Sequence, residues 1–186
     1  MFNIDGRVFV TSDTHFGHAN IIKYCNRPYK SAYHMDDCMV KDWNDTVGKN
    51  DWVIHLGDFS FQSDRYVNKL NGKIILVKGN HDNSQYNKCF EGVIEFMPVP
   101  IVEFNCYLIH TPIDRDGQYK KGCEPDFSVL DRYDYIICGH VHDRFVVSGK
   151  NINVGIDIWK KPIHIDELAR FLRKVKDEKI THMEKL

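Results

Sequence analysis

The sequence lacks an excess of charge of either sign: 25 Lys and Arg stand against 26 Asp and Glu, a formal net charge of -1. Gripping long nucleic acid takes a clustered positive surface, so no such surface is expected. A short or terminal nucleotide remains admissible. No apolar run reaches the ~18 residues of a membrane span, so no membrane partner is expected. No C-x-x-C pair occurs among Cys25, Cys38, Cys89, Cys106, Cys123 and Cys138. They read as reduced, half-buried thiols. No basic-then-apolar leader precedes the first strand, which sets the expectation of a cytoplasmic protein. No linker, repeat or low-complexity tract is visible, and the composition is not that of a disordered chain. The expectation is one domain over residues 1–186. A chain of this length buries roughly two-thirds of the surface its unfolded form exposes, so it needs no staples.

What is present is a succession of short apolar runs. Gly6 to Ser12 is β-branched and aromatic and reads as a strand. A loop over Asp13 to His18 follows, then helices from about Asn20 and from about Tyr33 to Val47. Asp51 to Leu56 reads as a second strand, Ser63 to Leu70 as a short helix capped by its serine, and Lys73 to Val77 as a third strand. The third run is apolar after its lysine, as buried parallel strands are. Val93 to Phe96, Ile101 to Phe104 and Cys106 to Ile109, separated by Pro98, Pro100 and Asn105, read as a meander. Tyr135 to Cys138, Phe145 to Val147 and Ile152 to Ile156 continue in strands, and Asp166 to Lys176 is helical. A βαβαβ half followed by a mostly β half predicts an α/β fold. It is expected to be a four-layer α/β/β/α sandwich of two mixed sheets flanked by helices.

Metal-type side chains concentrate just after predicted strands. The first strand leads to Asp13-x-His15, the second to Gly57-Asp58, and the third to Gly79-Asn80-His81-Asp82. The Cys106 strand ends at His110 and the Tyr135 strand at Gly139-His140-x-His142. Ligands of an open α/β sheet gather outside the carboxyl ends of its strands. Imidazole nitrogen and carboxylate oxygen suit a borderline divalent metal, and two such metals need a bridging carboxylate, a place the isolated Asp58 can fill. The three glycines would serve tight backbone turns. Each motif alone is common: Gly-Asp is usually a turn, and a lone histidine at a strand end is usually structural. Five in a row, each after a strand, are not.

Asp13-Thr14-His15-Phe16-Gly17-His18, Gly57-Asp58, Gly79-Asn80-His81-Asp82, His110 and Gly139-His140-Val141-His142 together resemble the complete signature of calcineurin-like metallophosphoesterases. His18-Ala-Asn-Ile-Ile, Asn26-Arg-Pro and Asn153-Val-Gly-Ile-Asp157 are similar to segments of small single-domain bacterial and phage members. The resemblance implies two divalent metal ions, of Mn, Fe, Ni, Co or Zn. One would be held by Asp13, His15, Asp58 and His142, the other by Asp58, Asn80, His110 and His140. It implies His81 as the acid near the leaving group, with Asp82 as its orienting partner. The activity implied is phosphoester hydrolysis by a hydroxide that the two metals activate.

The implied partner is a small phosphoester or nucleotide-type substrate; the oligomeric state stays open. A phosphodiesterase leads; a chain with little room for a cap domain should leave its metals open, which suits diesters without deciding between diester and monoester. The alternatives are a phosphomonoesterase and a non-catalytic binding scaffold, the latter expected to show eroded ligands. A structural metal site would favour cysteines, and none joins these motifs. His18 is read either as a contact to phosphate or leaving group or as a helix cap. Arg27 is read either as a planar grip on phosphate or as a surface salt bridge. His55 reads as a core or supporting histidine, Trp159 as packing, Lys78 as facing solvent, and His34, His164 and His182 as surface residues.

Overall fold

The computed structural model describes residues 6–113 and 127–186; Cys123 lies outside them. The first three apolar runs become β1 (Val8–Thr11), β2 (Trp52–His55) and β3 (Lys73–Val77), paired in parallel. Between them run α1 (Ala19–Tyr24), α2 (Ala32–Thr46) and α3 (Ser63–Val67). Ser31 caps α2 by accepting from His34 N–H, a bond worth about 1 kcal/mol. Met35, Met39 and Trp43 recur every fourth residue, so one face of α2 is apolar. That face packs with Phe9, Val53, Ile74 and Leu76 of the sheet. Ser63 does not cap α3: Gln62 holds that position, and the Ser63 hydroxyl donates to Ser60 O instead.

The predicted meander is corrected. β4 (Gly92–Ile94) adds to the first sheet, parallel to β3, and only then does the chain cross to the second sheet. There β5 (Phe96–Ile101) and β6 (Phe104–Ile109) form an antiparallel hairpin. Pro98 and Pro100 lie inside β5 rather than between strands. They are tolerated because β5 is an edge strand, where a missing N–H leaves no ladder bond unmade.

α4 (Ser128–Arg132) leads into β7 (Tyr135–Cys138), which runs parallel to β6. β8 (Val147–Ser148) and β9 (Asn151–Asn153) follow, then α5 (Ile156–Trp159). β10 (Ile163–His164) returns antiparallel to β1, α6 spans Ile165–Asp177, and β11 (His182–Met183) borders β8. The first sheet is ordered β10-β1-β2-β3-β4 and the second β11-β8-β9-β7-β6-β5.

The two sheets face each other. Val10, Ile54, Leu56 and Val77 of the first share a core with Cys106, Leu108, Ile137 and Ile152 of the second. Their chain neighbours point the other way: Phe9 toward α2, and Tyr107 and Ile136 toward Val129 of α4. That alternation produces the helix-sheet-sheet-helix layering. α6 adds Leu168, Ala169, Leu172 and Val175 to the inner cluster. Among the described residues no helix is long and apolar enough to cross a membrane.

Candidate metal centre

The loops that leave β1 and β2 stay zipped together beyond the strands. Asp13 N–H donates to Gly57 O (3.0 Å), His15 N–H to Asp58 O (2.9 Å) and Phe16 N–H to Phe59 O (2.9 Å). Across the second sheet, Gly139 N–H donates to His110 O (2.9 Å). The carboxyl ends of five strands therefore deliver their side chains to one place.

The backbone there is strained. Nine described non-glycine residues have positive φ, and five of them are Asp13, His15, Asp58, His140 and His142, at φ 51–68°. Such residues cost of order 1–3 kcal/mol each and persist where the surroundings over-determine them. The glycines serve two different needs. Gly57 is a turn residue with φ +89°. Gly139 is not left-handed but marks a close approach: a Cβ there would lie 2.0 Å from Ser12 Oγ and 2.3 Å from Asp13 Oδ2.

Three groups of ligand-type atoms result among the described residues: one joins Cys25, His142 and Asp157, and the other two are built on the predicted ligands. Asp13, His15 and His142 bring one atom each within 4.8 Å of one another, and Asp58, His110 and His140 do the same. Asp58 joins them, its Oδ2 lying 3.5 Å from His15 Nε2 and 3.5 Å from His110 Nε2. Asn80 Oδ1 lies 3.1 Å and His140 Nδ1 3.3 Å from His110 Nε2. Structure and sequence thus bring all seven predicted ligands to one cluster.

The donor set fits cations. His110 Nδ1 is taken by Leu56 O at 2.6 Å, which aims its Nε2 at Asp58, Asn80 and His140. His15 Nε2 is buried with no hydrogen-bond partner. Lone pairs facing lone pairs in a buried space call for positive charge. The same field acts on protons. Burial works against a charged His110, but the Asp58 hydrogen bond and charge outweigh it and push its pKa up to about 9. Burial would raise Asp58, yet His110, His15 and the His81 N–H hold it well below the usual carboxylate range. His15 goes the other way, lowered to about 3 chiefly by burial.

Behind the candidate ligands lies a second layer that the sequence reading misjudged. Arg27 neither grips phosphate nor forms a surface salt bridge. It is 7% exposed and donates from Nε and Nη2 to the two oxygens of Asp157 (2.7 and 2.9 Å). Its remaining N–H groups face Asp13 O, Thr14 O and the Met35 sulfur, so none is left for a substrate. Asp157 in turn accepts from His142 Nδ1 (2.8 Å), which frees Nε2 for the group with Asp13 and His15. Burial opposes charge on His142, but Asp157 and the Cys25 thiol push its pKa up to about 10. Asp157, despite burial, is brought down to about 2 by His142 and Arg27.

Carboxylates that orient a ligating histidine this way are typically worth ~10–100-fold in metal affinity. Arg27→Lys removes the planar fork that fixes Asp157. Metal titration of the variant should show a loss in that range with the melting temperature held in check. Unchanged affinity would show that His142 is positioned by other contacts.

Asp82 is also corrected. It does not orient His81. Its Oδ2 accepts from Asp58 N–H and Gly79 N–H and its Oδ1 from Phe59 N–H, at 2.8–2.9 Å, tying the loops after β2 and β3 together. His81 itself is exposed, its N–H donating to Asp58 Oδ1 (2.9 Å) and its ring 5.7 Å from that of His15. His18 stands at the start of α1 but makes no side-chain cap bond, and its ring lies 5.5 Å from His15.

His55 is fully buried, with Nε2 3.1 Å from Thr14 Oγ1. Trp159 packs, donating to Asn153 O and meeting Phe171 edge-on. Lys78 donates to Ser84 Oγ. His34 and His182 are exposed, whereas His164 caps α6 by accepting from Asp166 N–H.

Residues 7–155 match the model of the calcineurin-like phosphoesterase superfamily domain. The chain is 32% identical over 187 residues to protein MJ1445 of Methanocaldococcus jannaschii, covering 91% of this chain and 93% of that one. It is 26% identical to the gene 66 protein of Mycobacterium phage L5, covering 92% and 97%. Among solved structures, a protein of unknown function from Aquifex aeolicus shares the fold. It superposes with a TM-score of 0.68 at 24% identity over 90% of this chain and 100% of that one.

Proposed function

This chain belongs to the calcineurin-like phosphoesterase superfamily, and from that premise we propose that it is a metal-dependent phosphodiesterase acting on small or nucleotide-like esters. The observation that carries the reading is the position of Asp58 Oδ2, 3.5 Å from a histidine nitrogen on each side. A carboxylate so placed serves two cations at once. One would be held by Asp13, His15, Asp58 and His142, and the other by Asp58, Asn80, His110 and His140. The imidazole, carboxylate and amide donors suit Mn, Fe, Ni, Co or Zn.

When bound, the two ions supply positive charge opposite the phosphoryl oxygens and a lowered pKa for water. The chain supplies the rest. The strained loops fix the donors before substrate arrives, so no reorganisation is needed at the moment of reaction. His81 stands exposed at the rim beside His15, where its imidazole can hand a proton to a departing alkoxide. Arg27 and Asp157 position His142, and Asp82 positions the Asp58 and Gly79 loops.

The test is a substrate panel on the metal-loaded protein, with metal content measured alongside. Two ions per chain are expected, with kcat/KM higher for bis-p-nitrophenyl phosphate and nucleotide diesters than for the matched monoesters. Preference for monoesters would make the chain a phosphatase. Two bound ions and no turnover on any ester would make it a binding scaffold.

A further inference from the structure

Six large hydrophobic residues are exposed among the described ones, and two of them, Tyr24 (74% exposed) and Phe61 (46%), stand beside the metal centre. Phe61 lies 4.9 Å from the His18 ring and 5.9 Å from the His81 ring, both edge-to-face. Tyr24 meets His18 edge-to-face at 6.4 Å. His18 and His81 in turn both contact the ring of His15. The rings therefore form a continuous path from a metal-type ligand out to solvent.

Single exposed hydrophobics are ordinary on protein surfaces. Phe61 differs in being held out. Phe59, two residues earlier, is buried completely, and Ser60 is pinned by its hydroxyl bond to Phe16 O (2.9 Å) and by a bridge to Phe16. Gln62 N–H closes back on Ser60 Oγ (3.0 Å). A short loop fixed at both sides presents an aromatic face that the core does not use, within one ring contact of His81.

We propose that Phe61, flanked by Tyr24 and His18, is a stacking subsite for the base of a nucleotide substrate. The inference rests on the phosphodiesterase reading and names the substrate class of that same site. A nucleotide places a flat aromatic ring one sugar away from its phosphorus. With the phosphate at the metal cluster, the base falls on the exposed rings rather than on solvent. Stacking accepts any base, so the subsite selects for aromatic esters over aliphatic ones without reading sequence.

Titration calorimetry of the metal-loaded protein with adenosine 5'-monophosphate and with ribose 5-phosphate tests this, because an anomeric hydroxyl replaces the base in the second probe. The nucleotide should bind roughly tenfold to hundredfold more tightly, the range that base–aromatic stacking supplies. Phe61→Ala should bring the ratio of the two constants toward one, and Phe61→Trp should preserve it. Equal affinities in the parent protein, a ratio indifferent to Phe61→Ala, or no binding of either probe would overturn the subsite. Binding needs no turnover, so an absence of hydrolysis counts against the enzymatic reading alone, and a missing base effect against the subsite alone.

Discussion

Asp58→Asn should empty both metal positions together and lower turnover at least ~10³-fold, toward the rate of chelator-stripped protein. The substitution preserves shape. The new amide can keep its oxygen on the His81 N–H, where Oδ1 now accepts at 2.9 Å. Its NH₂ then occupies the Oδ2 place, between His15 Nε2 and His110 Nε2. A donor replaces an acceptor at the point where two cations would meet, and the only negative charge common to both groups is gone. The side chain is 2% exposed, so water cannot make good the loss. Metal analysis and kcat on bis-p-nitrophenyl phosphate read the two effects separately. Two tightly held ions with near-normal turnover would move the bridge elsewhere. Undiminished turnover by verified metal-free parent protein would remove the metal reading altogether.

The cluster was legible in the sequence because metal chemistry restricts residue types and because parallel strands end together. Asp13, Asp58, Asn80, His110 and His140 are far apart in the chain, yet each follows a strand, and strand ends share an edge. The second layer left no such trace. Arg27 and Asp157 are separated by 130 residues, and neither sits at a strand end whose partner could be guessed. Their only sequence signal was the pair of segments Asn26-Arg27-Pro28 and Asn153-Val-Gly-Ile-Asp157, which carry no spacing that specifies a contact. Asp82 was misread for a related reason. The family resemblance implied it as the partner of His81, whereas three backbone amides from two loops claim its carboxylate.

The fold shows the same division. Short apolar, β-branched runs marked β1, β2, β3 and β7 correctly, since burial on both faces imposes apolar composition. β4 is a three-residue strand of intermediate burial, with nothing in its pattern to say which sheet it joins. β10 and β11 are two residues each, too short for any period. Edge position excuses Pro98 and Pro100, but edges are a property of topology rather than of local sequence.

His81→Ala should keep both metals and lose rate in proportion to how badly the leaving group departs. The variant retains the backbone N–H that supports Asp58 Oδ1, and the lost ring is exposed rather than enclosed by the ligand cluster. The metal positions therefore have no reason to empty. Positioned acid catalysis is worth ~10²–10⁴-fold where the departing oxygen needs a proton. A nucleoside alkoxide needs it, and a p-nitrophenolate does not. The loss should fall near the top of that range for a nucleotide diester and shrink to a few-fold for bis-p-nitrophenyl phosphate. Removal of the ring also takes away a neighbour of Phe61, which would slow both esters together through poorer placement. The ratio of the two losses separates these effects. Equal losses with metals retained would reject the acid role, and a lost metal would make His81 a ligand. Asp82→Asn supplies the contrast: with the loops after β2 and β3 loosened, metal content and melting temperature should fall, with no dependence on the leaving group.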